Sequence, residues 1–278
     1  MKRPTGFFVL ACVLIFTSRV LIAGPPFQTD DPDPVPYRNY EFYIFGGVDG
    51  TPVEIDPTGP AVEFNWGALP RLQLHAILPL GAILPSDNPL YLPGGTGPNA
   101  YGPIDTELGA KVEWVKETKY RPMIGTFSML EVPTGSYAKG LGVGAVWYKV
   151  PVWLQKDWGR WTTYGGGGYE FVNQFQYKNF PYEGWLVQRD IGRKWTLGAE
   201  IFHHGVEGYA TPQTQASTLV DIGGYYYFRN PGFQLLFAYG HSVAGQTENY
   251  AYLGLYWTWG SKNGKGLNGF LAHHFRPH

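Results

Sequence analysis

Cysteine is nearly absent from this chain of 278 residues, and its single copy, Cys12, lies close to the start. There is no pair to form a disulfide and no cysteine cluster to hold zinc. Charge is scarce as well. Only 15% of residues are Asp, Glu, Lys or Arg, and a net charge of −1 offers no basic field to nucleic acid. Phosphate-cradling loops and dinucleotide fingerprints are missing. Beyond residue 24 no apolar run approaches the roughly 20 residues of a membrane helix. These absences exclude a disulfide scaffold, a nucleic-acid binder and a helical membrane protein. What is plentiful is glycine (38), proline (23) and aromatic side chains (17%). With hydrophobic residues at 44%, the chain is too apolar for disorder. The mixture fits a β-rich protein with many turns and two differently solvated faces.

Residues 1–23 read as a signal peptide. Lys2 and Arg3 form the charged start, Phe7 to Phe16 the apolar run, and Ala23 a small residue before the cleavage point. Val9, Leu10 and Ala11 ahead of Cys12 sketch a lipoprotein attachment site. The apolar run continues past Cys12 through Ile15, which favours its removal with the signal. The mature chain is then free of cysteine.

Period-two alternation dominates the mature chain. From Ile104, the residues Ile104, Thr106, Leu108, Ala110, Val112 and Trp114 share one face, and Asp105, Glu107, Gly109, Lys111 and Glu113 the other. Strands are expected at 38–47, 61–68, 71–79, 104–115, 122–132, 141–156, 161–172, 185–191, 195–203, 217–228, 233–242 and 248–259. Short connections (69–70, 116–121, 157–160, 192–194, 229–232) alternate with mostly longer ones (48–60, 80–103, 133–140, 173–184, 204–216, 243–247). Such parity belongs to a transmembrane antiparallel β-barrel of about 12 strands, with short periplasmic turns and longer extracellular loops. Trp66, Trp114, Trp153, Trp158, Trp161, Trp195 and Trp259 fall near the short-turn ends and suggest a periplasmic aromatic girdle. The expected division is 1–23 signal peptide, 24–37 N-terminal periplasmic segment, 38–259 barrel and 260–278 C-terminal tail.

If the apolar face meets lipid, the polar face lines the lumen. The lumen candidates are Glu41, Glu63, Arg71, His75, Asp105, Glu107, Lys111, Glu113, Lys149, Glu170, Glu200 and Asp221. Both signs are present, which leaves two readings open: a selectivity lining, or an ion-pair network that fills a narrow barrel. His203 and His204 are adjacent, so a strand points them to opposite faces and they make a poor metal pair. The acidic run Asp30, Asp31 and Asp33 is broken by prolines and lacks a calcium-loop pattern. His204, Ser217 and Glu200 hold the residue types of a hydrolase without a diagnostic spacing. No metal, cofactor or catalytic set is expected.

Several segments resemble transporters of the MetA pathway of phenol degradation. They are Pro25-Pro26-Phe27 with Thr29-Asp30-Asp31-Pro32, Glu41-Phe42-Tyr43, Glu131 to Gly135, Gly168-Tyr169-Glu170, Gly184-Trp185, and Leu197 to His203 around Gly198-Ala199-Glu200. The resemblance covers nearly all of the mature chain, and the shared order of short motifs makes it specific. It implies an outer-membrane barrel admitting small molecules, aromatic or other apolar ones among them, and it transfers no catalytic residue. One departure stands out. Outer-membrane strands commonly finish on a terminal aromatic, whereas here 260–278 comes after Trp259, either as a periplasmic extension or with further β-structure at 269–275.

The expectation is therefore a channel or transporter in the bacterial outer membrane and not an enzyme. Its partners would be membrane lipid, a small-molecule solute and, during biogenesis, the barrel-assembly machinery. A lipid-acting hydrolase and a structural barrel with a plugged lumen are the alternatives.

Overall fold

The alternating segments become strands because each can send one face to an apolar medium and the other to a polar one. The computed structural model describes residues 25–84, 99–209, 214–229 and 232–260. The strands are β1 (Asn39–Gly50), β2 (Ile55–Leu69), β3 (Leu72–Ile83), β4 (Ala100–Pro103), β5 (Thr106–Val115), β6 (Met123–Val132), β7 (Trp147–Trp158), β8 (Trp161–Val172), β9 (Phe180–Ile191), β10 (Trp195–His204), β11 (Ser217–Tyr227), β12 (Phe233–Gly245) and β13 (Asn249–Gly260). Short β4 and β5 both pair with β3, so together they form one stave broken at Ile104-Asp105. Every neighbour pair is antiparallel, and β1 pairs with β13, so twelve staves close into a barrel without an edge. Closure satisfies the backbone in a medium that has no water to do so. No helix among the described residues is long and apolar enough to cross a membrane.

Burial runs opposite to that of a soluble protein. Leu78, Leu108, Val150, Ile201, Ile222 and Leu253 are exposed on the outside, while Glu63, His75, Glu107, Lys111, Lys149, Glu200 and Asp221 are buried within. Hydrocarbon around the wall explains both halves of this inversion. Six of the seven girdle tryptophans are exposed near the short-turn rim, as expected. Trp153 is the exception: it is buried inside with Phe127, Met129, Tyr182 and Phe202. It shares the inward face of β7 with Lys149, so alternation overrides its position along the strand.

All twelve expected strands are present, and three boundaries move. The stretch expected as loop 48–60 is mostly strand, because a register shift between Thr58 and Ala61 absorbs Gly59 and Pro60. β9 begins at Phe180 and carries Pro181, opposite Tyr169. β7 begins only at Trp147: Gly140 and Gly144 take φ of 73° and turn 133–146 into an inward-folded loop with Leu141 and Val143 buried. Short turns at 70–71, 159–160 and 192–194 mark one rim. The other carries 133–146 and 173–179, although 51–54 and 246–248 are short there too. Residues 1–24 and 261–278 lie outside the described residues, and with them the expected signal peptide and tail.

Candidate lumen site

The segment before β1, expected as an N-terminal periplasmic segment, lies inside the barrel. Residues 25–36 enter from the short-turn rim and run up the lumen as a strap. Phe27, Gln28, Thr29 and Asp30 are all 2% exposed or less. Sequence spacing does not betray this position, because the strap's partners are far along the chain. The Glu200 carboxylate accepts from the N–H groups of Gln28 (2.9 Å) and Thr29 (2.5 Å). The Gln28 amide donates to Asp221 at 3.4 Å. Tyr225 and Tyr250 donate their hydroxyls to the carbonyls of Pro25 (3.3 Å) and Pro26 (3.1 Å). Near the rim, Lys111 Nζ stands 3.3 Å from Asp31, and the Val35 N–H donates to Gln73 at 2.9 Å. Burial pushes the Asp30 carboxyl up to about 7, with nearby Lys111 pulling it the other way.

Glycines in the wall make room for this strap. A Cβ on Gly67 would stand 2.1 Å from the Pro36 carbonyl oxygen, and one on Gly184 would stand 2.0 Å from Thr29 Oγ1. On Gly198 it would meet the Phe27 ring at 3.1 Å. The wall is therefore shaped to the strap, not merely covered by it.

Beside the strap, one side of the lumen is ionic. His75 bonds Asn65 (2.7 Å) through Nδ1 and Glu107 (2.9 Å) through Nε2, with Glu63 3.4 Å away. Lys149 stands 3.9 Å from Glu107 and opposite Glu170 in register. The other side is aromatic and apolar, with Tyr43, Phe45, Tyr250, Tyr252 and Tyr256 around Leu219 and Leu236. Tyr256 and Tyr43 donate to the two oxygens of Glu41. This tyrosine wall escapes a search for charged residues, although Tyr250 and Tyr252 already show the period of two.

Of the twelve lumen candidates, eleven occupy inward positions. Glu41, Glu63, His75, Glu107, Lys111, Glu113, Lys149, Glu170, Glu200 and Asp221 sit on strands, in the registers that pair Glu41 with Asn65, Glu107 with Glu131 and Glu200 with Asp221. Asp105 is inward but belongs to a latch: its carboxylate accepts from the N–H groups of Gly135 and Val143, both at 2.8 Å, and pins the 133–146 loop. Above it, Asp56, Thr58, Glu131 and Trp147 help enclose a cavity of about 50 Å³. Arg71 is the correction. It occupies the β2–β3 turn with φ 71° and bonds Trp114 O (2.6 Å) and Glu113 (3.4 Å), so it fastens the rim and does not line the lumen.

His204 and Ser217 are cross-strand neighbours, yet they form no nucleophilic pair. Ser217 donates to Gln246 O, while the His204 ring lies between Glu207 (3.0 Å) and Glu248 (3.1 Å). His203 points the other way and bonds Thr218.

The wall has a weak seam between β6 and β7. β7 and β8 pair without interruption from Trp147↔Val172 to Trp158↔Trp161. β6 and β7 pair at Met123–Gly125 and again at Met129–Glu131, in the same register, but not between. Thr126, Phe127 and Ser128 there face Val150, Pro151 and Val152. Pro151 has no N–H to give. Thr126 instead donates its hydroxyl to Pro151 O at 2.6 Å. Immediately inside is the apolar cluster of Phe127, Met129, Trp153, Tyr182 and Phe202.

No family model and no curated protein matches the chain. Among solved structures, it is similar to an outer-membrane channel from Pseudomonas putida F1, with a TM-score of 0.64 at 15% identity, covering 82% of this chain and 98% of that one. It is also similar to the NanC porin, with a TM-score of 0.52 at 9% identity, covering 78% and 98%. The translocator domain of the autotransporter NalP from Neisseria meningitidis gives 0.51 at 12% identity, covering 78% and 88%. The shared feature is the fold, a closed antiparallel barrel of the outer-membrane type, and the apolar belt around this chain is what such a barrel presents to the bilayer.

Proposed function

We propose that this protein is an outer-membrane channel for small apolar or aromatic molecules, which pass from the bilayer through the β6–β7 seam into the apolar cluster behind it. The observation that carries the reading is the seam. Ladder pairing lapses where the lipid face lies over a buried cluster of aromatic and apolar side chains. A direct axial path favours water-soluble solutes, but here the strap occupies that path. The resemblance to transporters of the MetA pathway points the same way, toward aromatic solutes, and no arrangement of His204, Ser217 and Glu200 supports hydrolysis.

The test is to lock the seam. Ser128 and Val150 face each other across the gap on the outer side, so S128C with V150C should form a disulfide. Oxidation should cut toluene uptake into proteoliposomes about tenfold, and reduction should restore it. Full uptake in the oxidised form would overturn the lateral route. No uptake in either form would favour a structural barrel plugged by its strap, the second reading that the buried strap supports.

A further inference from the structure

We infer that the strap is a built-in ligand: its Phe27 ring and the N–H groups after it occupy a socket that takes an aromatic ring carrying a hydrogen-bond donor on a short chain, and such a molecule displaces the strap. The inference rests on the channel reading for its purpose, though not for its geometry.

The socket has two parts. The ring of Phe27 is fully buried, packed with Tyr164 and Leu186. Gly198 completes the seat, since any side chain there would meet the ring edge at 3.1 Å. Next to it, Glu200 takes the N–H groups of Gln28 and Thr29, and Asp221, its partner in register on β11, takes the Gln28 side chain. Two carboxyls at one point of the wall, both 2% exposed or less, need donors or positive charge when the strap leaves. What the socket now holds is a phenyl ring joined through a short aliphatic link to N–H donors. An arylalkyl amine reproduces both elements and adds a positive charge that the carboxyls would favour. The strap is joined to β1 by only a few residues, so its effective concentration is high and a competing ligand must bind the socket with real affinity.

The experiment uses the full mature barrel in detergent with Val35→Cys as reporter. Val35 is 4% exposed in the seated strap, and its N–H keeps the bond to Gln73 whatever the side chain. Labelling by a water-soluble thiol reagent therefore reads strap release. Phenylpropylamine should raise the labelling rate saturably, by about tenfold, while propylbenzene (no donor) and cyclohexylpropylamine (no aromatic ring) each change it less than about twofold. Adding Phe27→Ala should raise the basal rate about tenfold, which shows that the reporter follows the ring. If Phe27→Ala raises labelling and phenylpropylamine does not, the socket is not a ligand site. If Phe27→Ala leaves the rate unchanged, the ring does not hold the strap and the inference falls. Equal acceleration by all three compounds would mean non-specific loosening and would overturn it too. Toluene uptake by the same variants in membranes separates the two readings: uptake without displacement sinks the socket alone, and displacement without uptake sinks the channel alone.

Discussion

Thr126 donates its hydroxyl to the carbonyl oxygen of Pro151 at 2.6 Å, so a side chain bridges the gap left in the β6–β7 ladder. Thr126→Val keeps the shape and removes the donor. A single buried hydrogen bond contributes about 1 kcal/mol. Urea unfolding in vesicles should show a loss near that size, and toluene uptake should quicken. Thr126→Ser should behave as wild type. A Val variant with unchanged stability and unchanged uptake would show that the seam does not depend on this bond.

Facing can be checked on one strand. Leu108 is 44% exposed on the lipid side, whereas Lys111 is buried beside Asp31 and 4.7 Å from the Phe127 ring centre. Leu108→Lys puts a charge toward hydrocarbon and should cost on the order of 2–4 kcal/mol near the midplane. Lys111→Leu should insert normally but release the strap more readily, because Asp31 loses its cation. Folding titrations into lipid vesicles compare the two. Tolerance of Lys at 108 together with failure of Leu at 111 would invert the assigned faces.

Asp105 holds two loop N–H groups on one carboxylate. Asp105→Ala leaves both donors unmet, at about 1.5–3 kcal/mol for each charged bond. The barrel should still insert, but limited proteolysis should now cut within 133–146. Asp105→Asn, which retains one acceptor, should be cut more slowly. Equal resistance of all three proteins would show that the latch is not what folds the loop inward.

Strap seating should depend on pH through Asp30. Its carboxyl is raised from 3.8 to about 7 by burial, and withdrawal of the strap returns it to water. The seated state therefore binds the proton more tightly, and protonation favours seating. The share of seating that Asp30 supplies is strongest below pH 3.8, weakens as pH rises toward about 7, and is level above that. Labelling of Val35→Cys, normalised to the exposed Lys139→Cys, should climb across that window, and Asp30→Asn should lessen the climb, leaving the part that Asp33, raised to about 8 by desolvation, supplies. A flat profile with Asp30 intact would remove this residue from control of the strap.

Strands and facing are legible in the sequence because lipid imposes a simple rule on every second residue. Lys111 and Leu108 declare their faces without help from the rest of the fold. Arg71 misleads because it continues the alternation of Gln73 and His75 while sitting in a turn with positive φ. Trp153 misleads in the opposite sense: its place along the strand suggests the girdle, although its parity with Lys149 already puts it inside. That the N-terminal segment fills the lumen is open to sequence only as the mark of a plugged barrel, and its seating is not legible there. Pro25 to Pro34 looks like a solvated lead-in, and its contacts reach partners such as Glu200 and Tyr250, 172 and 224 residues away. The seam carries only a faint mark, Pro151 within an otherwise regular strand.

Those separations also order events during assembly. Glu200, Asp221, Tyr225 and Tyr250 all lie on the final four staves, and β1 closes against β13. The strap is the first part of the described chain, yet its seat, begun by Gln73, Lys111, Tyr164 and Leu186, is complete only with the last staves. Only when β1 meets β13 can one strap span Gln73 and Lys111 on one side and Glu200 and Asp221 on the other, so wall and filling are completed together.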